Sequence, residues 1–109
     1  MDTIETAKTF SFNEIVHYED NGIVSKQIIK KSTGNVTLFA FAAGQMLSEH
    51  SAPFDALVQV IEGSAEIVIG GIANTVKAGE SIIMPANIPH GVNAHEKFKM
   101  LLTMIRSQE

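Results

Sequence analysis

The chain alternates apolar and polar positions with a period of two, in short runs broken by turn residues at intervals of about ten. The candidate strands are Ile23–Lys30, Val36–Ala42, Met46–His50, Leu57–Ile61, Ala65–Ile69, Ile72–Val76, Ser81–Met84, Gly91–His95 and Lys97–Ile105. Between them stand turn segments such as Ser32-Thr33-Gly34-Asn35, Glu62-Gly63-Ser64 and Lys77-Ala78-Gly79-Glu80. Gly70-Gly71 fits a two-residue hairpin, because glycine reaches the positive φ that primed turns need. The series predicts an all-β sandwich or barrel.

Alternation is clearest at the end of the chain. Phe98, Met100, Leu102 and Met104 share one face; Lys97, Lys99, Leu101, Thr103 and Ile105 share the other, which begins charged and becomes apolar. Part of that second face therefore needs a cover. Leu57-Val58-Gln59-Val60-Ile61 is apolar on both sides, as suits a strand between two layers. In a domain this small, two-sided apolar strands predict self-association, most simply as a homodimer. The segment 1–22 reads as an N-terminal extension to a barrel over 23–109. Within it Ser11-Phe12-Asn13-Glu14 has the form of a capping box, which favours a helical turn through Glu14–Tyr18, with an edge strand as the alternative.

Composition narrows the chemistry. The 109 residues suffice for one domain, and 45% hydrophobic against 18% charged residues is a globular balance. The absence of Cys excludes disulfides, thiolate metal sites and a cysteine nucleophile. A net charge of −4, with Arg106 the only arginine, offers no basic face to nucleic acid. No apolar run is long enough to span a bilayer, and Met1-Asp2-Thr3-Ile4-Glu5 lacks the basic start of a signal peptide, so a soluble cytoplasmic domain without membrane partners is expected. No phosphate loop, nucleophile elbow or His-Glu-x-x-His stands in the chain.

Candidate chemistry therefore falls to His17, His50, His90 and His95. His50 ends a strand just before Pro53, and His90 follows a stiff segment containing Pro85 and Pro89. The stretches around them read Gly44-x5-His50-x-Ala52-x3-Ala56-x6-Gly63 and Gly79-x5-Pro85-x-Asn87-x2-His90-x3-Ala94. These resemble the two motifs of the cupin superfamily, Gly-x5-His-x-His-x3-4-Glu-x6-Gly and Gly-x5-Pro-x-Gly-x2-His-x3-Asn, and the likeness extends over Gly34–Ile105. Gly44, His50, Gly63, Gly79, Pro85 and His90 are in register. The resemblance implies a compact single-domain cupin of the conserved-barrel type: an antiparallel jelly roll, or double-stranded β-helix, with a pocket at its mouth. It also implies a metal-ligand set, of which only His50 and His90 remain; Ala52 and Ala56 stand where the family has His and Glu, and Ala94 replaces the closing Asn.

Strand parity tests for substitutes. If Ala56 faces inward, Val58 and Val60 share its face and Gln59 does not, while Glu49, Asn93 and His95 point outward. Asp55 lies in a loop, so it is the one carboxylate kept as a third ligand. Glu62, Glu66 and Glu80 lie beside turns as solvated charges, and His17 and His95 read as surface histidines. Phe39 and Phe41 read as core, and Met46, Met84, Met100 and Met104 chiefly as core fillers. The expected ligand pocket comprises His50, His90, Asn87, Met84 and Met46.

Two functions follow. In one, the barrel binds a small organic ligand, with His50 and His90 as its polar contacts. In the other, a divalent ion (Zn, Ni, Mn or Fe) sits on His50 and His90 and completes its shell with water or substrate, as in a dioxygenase- or isomerase-type cupin enzyme. Metal-free acid–base chemistry by a histidine is a third route.

Overall fold

The protein is described by a computed structural model over residues 4–106; the ends of the expected extension and barrel, 1–3 and 107–109, lie outside the described residues. One helical turn, α1 (Phe12–Ile15), precedes nine strands: β1 (Ile23–Lys31), β2 (Gly34–Phe41), β3 (Met46–His50), β4 (Asp55–Glu62), β5 (Ser64–Ile69), β6 (Ile72–Lys77), β7 (Ser81–Met84), β8 (His90–Asn93) and β9 (Phe98–Ile105). Every candidate strand forms, with ends displaced by at most two residues. No helix among the described residues is long and apolar enough to cross a membrane.

The strands form two antiparallel sheets, ordered β1-β2-β9-β4-β7 and β3-β8-β5-β6. At the β5–β6 hairpin Gly70 and Gly71 both adopt positive φ, +57° and +82°, as a primed turn requires. The inner faces pack into one core containing Phe41, Val58, Val60, Ile67, Val76, Met84, Val92, Phe98 and Met100. Phe41 and Phe98, opposite each other on β2 and β9, stack with centroids 4.6 Å apart and planes at 13°.

A second, smaller core lies on the outside of the five-stranded sheet. Val16, Leu38, Ala40 and Leu101 are buried there, with Phe12, Ile15, Tyr18 and Val24 packed against them. The cover that the outer face of β9 needs thus includes the chain's own N-terminal segment. The helical turn spans Phe12–Ile15 rather than Glu14–Tyr18, and the capping box does not form: Ser11 makes no side-chain cap bond, and Val16 is already extended. The competing interaction is burial, since an extended chain from Val16 lays Val16 and Tyr18 along the sheet.

Polar groups seal the edge of this second core. Lys99 is buried, with Nζ 3.3 Å from Asn13 Oδ1, 4.0 Å from Glu62 Oε1 and 5.1 Å from the centre of the Tyr18 ring. The Tyr18 hydroxyl donates to Glu62 Oε2 at 2.7 Å. Glu62 is therefore a partly buried acceptor, where the sequence led us to expect a solvated charge; a partner forty-four residues away changes its surroundings. Glu80, by contrast, is exposed and accepts from the Lys77 amide.

Burial, and then the hydrogen bond to Glu62, push the Tyr18 phenol well above its usual value. A raised folded value means that the neutral phenol stabilises the fold below pH about 10, and that this contribution disappears as pH rises beyond it. Thermal melts from pH 8 to 11 should show the native protein losing more stability than Tyr18→Phe above pH 10; parallel curves would count against the bond. At the β4–β5 turn, Gly63 has φ +74°, and a β carbon there would overlap the Lys97 carbonyl oxygen. Gly63→Ala should cost about 2 kcal/mol or more in urea unfolding.

Candidate functional site

Two short loops bring the site together. Residues 51–54 join β3 to β4, and residues 85–89 join β7 to β8, so His50, Ala56, Met84 and His90 all lie at one end of the barrel. Antiparallel pairing adds Met104 at the end of β9, because Ala56 is in register with both Met104 and Met84. On the opposite sheet His50 is paired with His90, and His90 with Ile69. Two rows therefore face each other at the barrel mouth: His50-His90-Ile69 across one sheet and Met104-Ala56-Met84 across the other.

The loops are tied to each other by backbone groups. The Asn87 amide donates to the Ala52 carbonyl at 2.7 Å, the Ala86 amide to Asp55 Oδ1 at 2.8 Å, and the Gly70 amide to the Pro89 carbonyl at 2.8 Å. Asn87 adopts φ +65°, a left-handed conformation that asparagine tolerates better than most residues. Asn87 and Asp55 are exposed, and Asp55 serves as the acceptor that holds the His90 loop.

The two imidazoles meet edge to face, with centroids 4.5 Å apart and planes at 64°. His90 is buried at 8% exposure, whereas His50 is exposed. Each ring is oriented by the same device. His50 Nδ1 lies 3.0 Å from the Ser48 carbonyl oxygen, and His90 Nδ1 lies 3.3 Å from that of Ile88. A carbonyl can only accept, so Nδ1 carries the proton and each neutral ring keeps its lone pair on Nε2. Neither Nε2 has a hydrogen-bond partner among the described residues.

Not every expected site residue joins this group. Met46 is in register with Asn93 on the outer face and is 59% exposed, while Leu47 takes the inward position beside Val92. Met84 is buried at the mouth and Met104 packs against the same core, a position that the even spacing of β9 already indicated. His17 is exposed. His95 is exposed on the outer side of the other sheet and pairs with Glu66 through Nε2 at 3.1 Å. Glu66 also accepts from Asn93 Nδ2 at 2.8 Å; that bond first, and His95 next, hold its carboxyl below the usual value. Glu66 is thus engaged in a small surface network, where the sequence suggested only a solvated charge.

A metal centre built by protein alone needs three or four ligands. No group of three or more His, Asp or Glu side chains among the described residues could hold an ion. The residues present do not reproduce the four-ligand set of the cupin motif, because Ala52 and Ala56 bring methyl groups where donors would stand.

Comparison with known proteins accords with this geometry. A family profile described as a cupin domain matches residues 37–106. A crystal structure of a conserved protein of unknown function from Streptococcus pyogenes shares 34% identity over 99% of this chain and 95% of its own, with a TM-score of 0.93. A cupin 2 conserved barrel domain protein from Leptotrichia buccalis shares 42% identity over 85% of this chain, with a TM-score of 0.83; the match covers 45% of that longer protein. A cupin superfamily protein from Desulfitobacterium hafniense has the same fold, with a TM-score of 0.89 at 20% identity over 97% of both chains. No curated protein matches the sequence.

The tie from Asp55 to the His90 loop can be tested directly. Asp55→Ala should speed hydrogen exchange at the Ala86 amide roughly fivefold to tenfold, the loss of about 1–1.5 kcal/mol of local protection. Unchanged exchange would remove Asp55 from this positioning role.

Proposed function

This chain belongs to the cupin domain family, and from that premise we propose that it binds a small organic ligand at the barrel mouth, with His50 and His90 as the polar contacts. The observation that carries this reading is the pair of carbonyl-bound Nδ1 atoms, which leaves two neighbouring Nε2 acceptors beside an apolar wall. Such a pair accepts hydrogen bonds and donates none when neutral, so the fitting ligand carries its own donors on an otherwise apolar frame. The alanines at 52 and 56 favour the binder over a metal-dependent enzyme, since they supply neither ligand nor general base.

A second reading has one specific observation in its favour. Metal-binding histidines commonly orient themselves by donating the other ring N–H to a carbonyl, as both rings do here. A divalent ion would then take the remainder of its shell from water or substrate. Native mass spectrometry and elemental analysis of untagged protein separate the two readings. The binder should carry a small organic mass, absent from the His50→Ala/His90→Ala double variant, and metal below about a tenth of stoichiometry. Stoichiometric metal that vanishes in the double variant would select the enzyme reading.

We also propose a homodimer. The outer face of the five-stranded sheet keeps one row, Ile29-Val36-Thr103-Leu57-Ile83, that runs across all its strands. Ile29 and Ile83 are 51% and 62% exposed, and Ile105 beside the row is 69% exposed. Light scattering at micromolar concentration should return twice the 11.8 kDa chain mass, falling toward the monomer in Ile83→Lys.

A further inference from the structure

The two rows at the barrel mouth extend beyond the residues named so far. Met104 is in register with Asn35, and Asn35 with Lys30, so the inner row of the larger sheet is Lys30-Asn35-Met104-Ala56-Met84 across all five strands. A bulge sets the first of these. The register of β1 shifts between Gln27 and Ile29; Ile28 packs on the second core, Ile29 stands opposite Val36 on the same outer side, and Lys30 is thereby turned inward. Without the bulge, period two would send Lys30 outward with Lys26 and Ile28. On the facing sheet the row His50-His90-Ile69 ends at Ile72, which pairs with Ile69 and is 69% exposed.

β6 packs against β4 and β7, and β5 against β9, so the two rows run over each other in the same order, roughly 10 Å apart. Their ends match in character. Ile69 and Ile72 lie on the side of Ala56 and Met84, whereas His50 and His90 lie toward Asn35 and Lys30. The Thr37 hydroxyl, next along the inner face of β2, donates to Asn35 Oδ1 at 3.2 Å and leaves the Nδ2 hydrogens for another acceptor. No carboxylate of the described strands shares this face: Asp55 is in register with Ile105 and accepts from the Ala86 amide, and Glu49 lies against Gly91 on the outside of the smaller sheet. An inward lysine also guards an edge strand against pairing, but that duty needs no oriented amide beside it.

Resting on the small-ligand reading above, we propose that the ligand is an amphipathic organic acid, and that Lys30 and Asn35 select it by holding its carboxylate. The ammonium and the Asn35 amide are donors only, which suits an anion, and a charged acceptor gains most from them. The two Nε2 lone pairs repel an anion, so they take a hydroxyl or N–H on the same polar head. The apolar body lies along Met104, Met84 and Ile69, away from both groups of donors and acceptors.

The test is a two-dimensional NMR titration of the full chain at neutral pH with 3-phenyllactate, whose carboxylate and hydroxyl share one head on an apolar body. Its methyl ester removes the charge, 3-phenylpropanoate the hydroxyl, and lactate the body. Amide shifts should centre on residues 30, 35, 50 and 90, and each of the three analogues should bind roughly tenfold more weakly than 3-phenyllactate. Lys30→Gln alters an exposed side chain, so the fold should survive. It should lose roughly tenfold in affinity for the acid and none for the ester, and Lys30→Arg should restore the acid. Lys31→Gln removes the same charge from the outer side of the same strand and should bind the acid as the native chain does. Equal losses in the Lys30 and Lys31 variants would reduce the effect to diffuse charge and overturn the assignment. Acid and ester bound equally, and both lost in His50→Ala/His90→Ala, would overturn the acid while leaving the small-ligand reading standing. No shift at the mouth with any of the four compounds would overturn the inference, and the broader reading would then be decided by native mass spectrometry alone.

Discussion

Over its first half, strand β9 has no solvent-facing side, and the rest of the molecule is arranged around that requirement. It lies in the middle of the five-stranded sheet, between β2 and β4, and both of its faces carry large side chains. Phe98 and Met100 go into the barrel, where Phe98 stacks on Phe41. Lys99 and Leu101 go the other way, and both are buried. A buried ammonium is tolerable only with its polar partners in place. The N-terminal segment supplies them in Asn13 and Tyr18, together with the apolar cover of Val16, while Glu62 closes the group from β4. The chain before the barrel is thus part of its second core.

The inner face imposes a different economy. A small barrel fills its interior with side chains, so polar groups survive only at the open end, where water or a ligand can satisfy them. His50 and His90 are at that end, and each ring meets half of its hydrogen-bonding demand from a carbonyl two residues before it. The other half stays free. Around them the loops are fastened backbone to backbone, with Asp55 adding one side-chain acceptor. The result is a pre-oriented pair of lone pairs beside methionine and alanine.

Much of this was legible beforehand. The strand runs, the Gly70-Gly71 turn and the in-register motif positions depend on local rules: period two, positive φ and fixed spacing. The inward and outward assignments of Val58, Gln59, Asn93 and His95 follow from parity alone and agree with burial and register. Residues 11–18 were not legible, because the capping pattern competes with a sheet surface that local sequence does not contain. Glu62 misled for the same reason: its partners Tyr18 and Lys99 are distant in the chain. Met46 shows the limit of composition, since a methionine near a motif histidine still follows its strand to the outside.

The sequence by itself determined the class of fold, the two histidines at its mouth and the missing ligands beside them, because these follow from residue type and spacing along the chain. Only the tertiary structure decided which lone pairs are free, which methionines flank Ala56 and what covers Leu101. Each of those depends on groups that meet across strands or between chain segments far apart. Their distances are set by register and packing, which no local pattern encodes.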